Sequence, residues 1–197
     1  IYGLKMSNSV NYSILSRTTV FFTYFLAILF FKEKFYFNKV VSVFLSFIGS
    51  FLIVYNFKNS VVINYGDLFF IGFSLFVSLS GLFRPKVLIK ITAIHLTFIM
   101  FFLSAIILGL LTVLLDPFRN FIIPIPIIFI SIFGLLGFNL VNFAIQKAGA
   151  PFFSVISSLL PFFTAILAYF FLKTLPSVNQ IFGGLIIILS IYLFQKK

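Results

Sequence analysis

The stretch Ser16–Lys34, SRTTVFFTYFLAILFFKEK, decides the fold. It is apolar on every side of a helix drawn through it, yet it carries Arg17 about one turn inside its start. A second stretch, Ser157–Leu175, SSLLPFFTAILAYFFLKTL, has the same outline with a proline and no arginine. Such runs recur along the whole chain, at about residues 9–31, 40–57, 68–83, 91–115, 121–145, 150–172 and 178–194. A membrane-spanning helix needs ~20 apolar residues, and the third run reaches that length only by taking in Gly66 and Asp67. Seven spans are expected.

Composition agrees. Hydrophobic residues make up 62% of the chain, charged residues 9%, and the mean hydropathy is +1.24. A soluble domain carries roughly a quarter charged residues, so water could not wet this surface. No short apolar run is followed by a small-residue cleavage site, so no run reads as a secretory signal. Barrel strands alternate polar and apolar residues, which FLSAIILGLLTVLL does not. In hydrocarbon each backbone N–H and C=O must be satisfied within its own segment, so continuous runs become helices. The weak β preference of the many Phe and Ile residues does not compete with that demand. The expected fold class is all-α, a polytopic membrane helical bundle.

The net charge of +11 would suggest nucleic acid in a soluble protein. Here the lysines flank the spans. One side of the membrane receives Lys32, Lys34, Lys39, Arg84, Lys86, Lys90, Lys147, Lys196 and Lys197; the other receives Lys5, Lys58, Arg119 and Lys173. The positive-inside rule places the richer side, and the C-terminus, in the cytoplasm. The cell membrane is the expected location. The expected partners are the bilayer and a small-molecule substrate, without nucleic acid, and a homodimer is compatible with the sequence.

The residues offer no enzyme site. There is no cysteine, one histidine and three carboxylates, Glu33, Asp67 and Asp116, all at span ends. An intramembrane aspartyl protease needs two facing carboxylates, a metalloprotease needs a His/Glu cluster, and ATP coupling needs a Gly-rich phosphate loop. None of these patterns occurs, and no metal or cofactor is expected.

Laying Ser13–Leu52 over Ser154–Leu193 without gaps, an offset of 141, matches Ser13 with Ser154, Ser16 with Ser157, Thr23 with Thr164, Lys32 with Lys173 and Asn38 with Asn179. Apolar identities alone would follow from biased composition; these polar ones do not. Five spans, an odd number, separate the two copies, so they cross the membrane in opposite directions. Inverted repeats are a signature of secondary transporters. By this alignment the second copy begins near Gly66, and its partner would begin upstream of Ile1. The expectation is an inverted five-plus-five bundle of which about seven helices are present, three having been lost upstream.

The segment from YGLKMSNSVNYSILSRTTVFF to SFLIVY resembles the end of the first EamA repeat of the drug/metabolite transporter superfamily. GDLFFIGFSLFVSLSGLF through FGGLIIILSIYLF resembles a complete second repeat. Glu33 closing the first run, Pro161, and the glycines after Gln180 carry the likeness. Val20 stands where the second copy has Pro161, and Thr174 stands where Glu33 predicts an acid. The resemblance implies ten helices, cytoplasmic termini and export or exchange of small metabolites. On this reading residues 1–57 are the C-terminal part of the first repeat, 58–65 an inter-repeat loop and 66–197 the second repeat.

Candidate cavity residues follow from cost. If the first helix began after Arg17, Thr18–Phe31 would span about 21 Å at 1.5 Å per residue, against a hydrocarbon core of ~30 Å. Arg17 therefore lies inside the span, at a cost of up to ~2.5–3.5 kcal/mol. It suits a substrate carboxylate or phosphate, or snorkels to headgroups. Asn139, Asn142 and Gln146 share one helix face, either binding substrate or tying helices together. Pro161 strips a donor from the Ser157 carbonyl and reads as a hinge, with Ser157 and Thr164 beside it and Asn11 and Thr23 as the matching edge. Ser74, Ser78, Gly81, Gly183 and Gly184 read as packing residues, and His95 as interfacial. The functional expectation is a secondary transporter working by alternating access. A nucleotide-sugar or sugar-phosphate exchanger of an internal membrane and a non-transporting scaffold subunit remain as alternatives.

Overall fold

The computed structural model describes residues 6–7, 9–55, 64–115, 125–173 and 175–196. Lys5, Lys58, Asp116, Arg119, Thr174 and Lys197 lie outside the described residues, as does most of the 58–65 loop. The described helices are α1 (Ser9–Leu15), α2 (Thr19–Phe31), α3 (Phe37–Val54), α4 (Gly66–Leu88), α5 (Ala93–Leu115), α6 (Ile125–Ala148), α7 (Ala150–Ser157), α8 (Leu160–Leu172) and α9 (Val178–Gln195). A 3₁₀ turn at Ser16–Thr18 joins α1 to α2. Among the described residues there is no strand.

Among the described residues seven helical spans are long and apolar enough to cross a membrane: Asn11–Phe31, Phe37–Val54, Gly66–Leu88, Ala93–Leu114, Ile127–Ala148, Ala150–Leu172 and Val178–Gln195. The apolar stretch at 68–83 understates its helix, which runs on through Arg84 and Pro85 to Leu88. Proline is tolerated so close to a helix end in a membrane protein, where neighbours satisfy the freed backbone groups. Arg84 and Lys86, read from the sequence as loop cations, are therefore helical.

The chain divides into two compact units, residues 1–82 with 150–197, and residues 83–149. In the first unit the exterior is apolar, and small polar residues are buried beside an apolar core. Phe30, Phe171 and Leu172 are exposed, while Ser42, Ser46, Ser50, Ser74, Ser78 and Ser190 are buried. Small residues let backbones approach where lipid supplies no hydrophobic drive between helices. Ser74 Oγ donates to the Leu15 carbonyl (3.0 Å) and Ser78 Oγ to the Thr19 carbonyl (3.1 Å), so these serines hold α4 against the first span.

The offset of 141 reappears element by element. α2 at 19–31 corresponds to α8 at 160–172, and α3 at 37–54 to α9 at 178–195. α2 ends on Lys32 at φ 53° and α8 on Lys173 at φ 56°, two equivalent lysines in the left-handed region. The copies also run oppositely. Ser42 Oγ of α3 donates to the Ser190 carbonyl of α9 (2.6 Å). One end further along, a Cβ added to Gly49 would stand 2.7 Å from the Gly183 carbonyl oxygen. α3 thus ascends as α9 descends. Ser42 matches Gly183 and Gly49 matches Ser190 under the offset, so the two contacts are related by an approximate twofold axis. Between them lie the equivalent residues Ser46 and Ile187, both fully buried.

The second unit contains α5, α6 and the end of α4. Gly149, at φ 81°, ends α6 in a conformation that a side chain would strain.

Candidate substrate cavity

Two breaks shape the first unit. Between α1 and α2, Ser16 Oγ donates to the Ser13 carbonyl (3.2 Å) and Thr18 Oγ1 to the Leu15 carbonyl (2.6 Å), and Thr19 Oγ1 reaches the Ser16 carbonyl. Hydroxyls bonding three residues back tighten a helix into a 3₁₀ turn. Between α7 and α8 the same device recurs, with Ser154 on the Pro151 carbonyl and Ser157 on the Ser154 carbonyl, both at 2.7 Å. Pro161 falls in the first turn of α8, where its missing N–H costs least. Ser50 Oγ of α3 lies 3.4 Å from the Ser158 carbonyl at this break.

Two cavities flank the breaks and share Arg17 and Ser13. The larger, about 380 Å³, runs along Ile53, Leu160, Pro161, Thr164 and Ala165 to Gln180. The smaller, about 280 Å³, is bounded by Tyr12, Val77, Ser157 and Ser158. The structure thus brings together Arg17, Ser157, Pro161 and Thr164. Among the described residues Arg17 makes no hydrogen bond or ion pair, and its Nε is buried without a partner.

The remaining candidates lie elsewhere. Asn11 is buried and donates Nδ2 to the Asp67 carboxylate (2.9 Å and 3.1 Å), which also receives Ser7 Oγ and the Asn64 N–H. Thr23 is buried, its hydroxyl on the Thr19 carbonyl at 2.7 Å. The α6 stripe belongs to the second unit. There Asn142 accepts from Arg84 Nη1 (3.3 Å) and donates to Thr97 Oγ1 (2.9 Å), and Gln146 donates to the Leu88 carbonyl (2.9 Å). These two amides tie α6 to α4 and α5. Asn139 lines a broad, mostly apolar depression of about 1,090 Å³ with Gln146. His95 pairs with Thr92 at the exposed start of α5.

Sequence reading missed Gln180 and Ile53, ordinary residues until the fold supplies the cavity. Gln180 had a local signal, because Ser177 and Gln180 form a capping box at the start of α9. Arg84 was hidden among loop lysines, although it is a second arginine whose Nε is buried without a partner.

The twofold relation exposes an asymmetry. Moving each residue of the larger cavity by 141 replaces Ile53 with Phe194, Ala165 with Tyr24, Ala168 with Ala27, Thr164 with Thr23 and Gln180 with Lys39. At that other end there is solid packing. Val20, Tyr24, Val43, Val155 and Phe194 form the buried core, and Thr23 and Ala27 are buried beside them. The Tyr24 hydroxyl donates to the Tyr36 carbonyl (3.2 Å) and accepts from the Tyr36 N–H (3.3 Å). Lys39 Nζ lies 5.1 Å from the Phe194 ring centroid. One constellation is open in one copy and filled in the other.

The two broken spans of this polytopic helical bundle thus meet at cavities of mixed lining around Arg17. The model of the EamA-like transporter family matches residues 1–55 and 64–195, and the chain belongs to this family. It is an integral, multi-pass membrane protein of the drug/metabolite transporter superfamily. No match was found among the curated proteins compared.

Proposed function

We propose that this protein is a secondary-active exporter or exchanger of a small metabolite, working by alternating access with the Arg17 cavity as its binding site. The asymmetry between the two ends carries the reading. Two antiparallel copies, one open and one filled at equivalent places, are the parts needed to expose one site to each side in turn. In this reading the open cavity faces away from the cytoplasm, because it lies towards the end of the unit that carries Lys173, and the sealed end carries Lys32, Lys34 and Lys39. The C-terminus is cytoplasmic and the cell membrane is the site of action. Coupling is to protons or a counter-substrate, since this chain carries no phosphate-binding loop. A scaffold subunit would pair its buried polar groups between helices. Asn142 and Gln146 do so in the second unit, and Arg17 does not.

Single-cysteine labelling tests this, and these 197 residues contain no cysteine of their own. Thr164→Cys is expected to react with an impermeant thiol reagent from outside in intact cells, while Thr23→Cys reacts only from the cytoplasmic side, and more slowly. Equal inertness of both positions from both sides would remove the cavity and the reading with it.

A further inference from the structure

We propose, on the basis of that transport reading, that the substrate is a small organic monocarboxylate. Its carboxylate docks on Arg17, and its compact apolar body lies along Ile53, Leu160 and Ala165.

The charge balance favours an anion. A partly desolvated guanidinium is stabilised by a counter-charge or a full set of acceptors. Arg17 is half-buried, its Nε is buried without a partner, and it forms no ion pair or hydrogen bond among the described residues. Among the described residues Arg17 is the one charged side chain lining either cavity. Of the described carboxylates, Asp67 is committed to Ser7, Asn11 and the Asn64 N–H, and Glu33 lies past the far end of the span that Arg17 opens. Among the described residues the negative charge facing Arg17 is therefore left to a ligand.

The same count favours a ligand of one charge. Among the described residues a second anionic group would meet no second cation, and the hydroxyls of Ser16, Ser157 and Thr164 already donate to carbonyls three or four residues back. Their free lone pairs would repel a further oxyanion. Phosphorylated and nucleotide-linked sugars, with two or more charges, fit poorly. An ammonium group fits no better, because it would stand beside Arg17 with no carboxylate of the cavity to receive it.

Position completes the argument. A planar guanidinium binds a carboxylate through two parallel N–H···O bonds, which fixes the orientation of whatever is attached. Beyond Arg17 the larger cavity, about 380 Å³, has an apolar wall that includes Ile53, Leu160 and Ala165, with Ser13, Thr164 and Gln180 as its polar lining. The apolar wall suits a short or branched aliphatic body.

The experiment is counterflow of radiolabelled 2-oxoisocaproate into phosphatidylcholine liposomes carrying the purified protein, with succinate, leucine and isocaproamide as comparison solutes. Saturable counterflow of 2-oxoisocaproate above the three comparison solutes is expected. Arg17→Gln should lower its kcat/KM roughly ten- to hundred-fold, the scale of a lost charge-assisted hydrogen bond, mostly through KM. Arg17→Lys should restore part of it. A second measurement needs no variant: bound 2-oxoisocaproate should slow inactivation of the wild-type protein by the arginine reagent phenylglyoxal. Movement of leucine or isocaproamide at an equal rate, unchanged by Arg17→Gln, would overturn the monocarboxylate and leave the transporter standing. Stabilisation of the detergent-solubilised protein by lysophosphatidylglycerol, with no effect of monocarboxylates, would assign Arg17 to lipid headgroups and overturn it equally. If no solute moves and Thr164→Cys is inert, the transport reading falls too.

Discussion

At the scale of single residues the sharpest determinant is the crossing of α3 and α9. A Cβ on Gly183 would lie 2.5 Å from the Gly49 carbonyl oxygen and 2.7 Å from Ile53 Cγ1. Backbone cannot step aside, so Gly183→Ala must push two helices apart, at an overpacking cost of about 1–3 kcal/mol. At the adjacent Gly184 the obstacle is the Phe162 ring, a side chain that can turn away, and Gly134 meets nothing within 4 Å. Thermal unfolding in detergent should rank the alanine variants Gly183 worst, Gly184 intermediate and Gly134 near wild type; a flat series would discard the close crossing. The sequence marks Gly183 and Gly184 as packing residues but is silent on Gly49. Each copy carries its glycine at the opposite end of the helix, so the alignment that reveals the repeat pairs both with serines.

At the scale of elements, the spans were legible because hydrocarbon leaves a long apolar run no other conformation. The breaks were half legible. Pro161 advertises the one before α8, whereas Val20 occupies the equivalent place in α2 and the break there is made by hydroxyls of Ser16, Thr18 and Thr19. Periodicity also found the common face of Asn142 and Gln146. It could not say what that face meets, because the partner Arg84 sits at the end of an apolar run and reads as a loop cation. Within the second unit, Asn142→Ala would leave Arg84 Nη1 and Thr97 without their shared partner. The expected loss is about 1–3 kcal/mol, seen as a lower unfolding temperature, with the KM for transport unchanged. A raised KM at full stability would instead place Asn142 in the substrate path.

At the scale of the whole molecule, sequence identity at an offset of 141 reveals two copies and the odd number of spans reveals their inversion. Neither reveals which end is open, because the alignment does not show which side chains pack between the copies. Ala165 and Tyr24 hold equivalent positions, and the small residue lines the cavity while the large one fills the sealed end. The seal is held partly by the Tyr24 hydroxyl on the backbone of Tyr36. Such a hydrogen bond contributes about 1 kcal/mol net, and in the reading proposed above it exists only while that end is closed. Removing it should therefore act on the equilibrium between the two ends. Tyr24→Phe keeps the ring against Phe194 and deletes the hydroxyl alone. A shift of about 1 kcal/mol changes a two-state ratio roughly fivefold. In the Thr23→Cys background, Tyr24→Phe should raise the rate of labelling from the cytoplasmic side by about that factor and slow labelling of Thr164→Cys from outside. The opposing changes are the diagnostic part, since simple loosening of the fold would accelerate both. Acceleration at both positions would mean that Tyr24 holds the core together without governing which side the cavity faces.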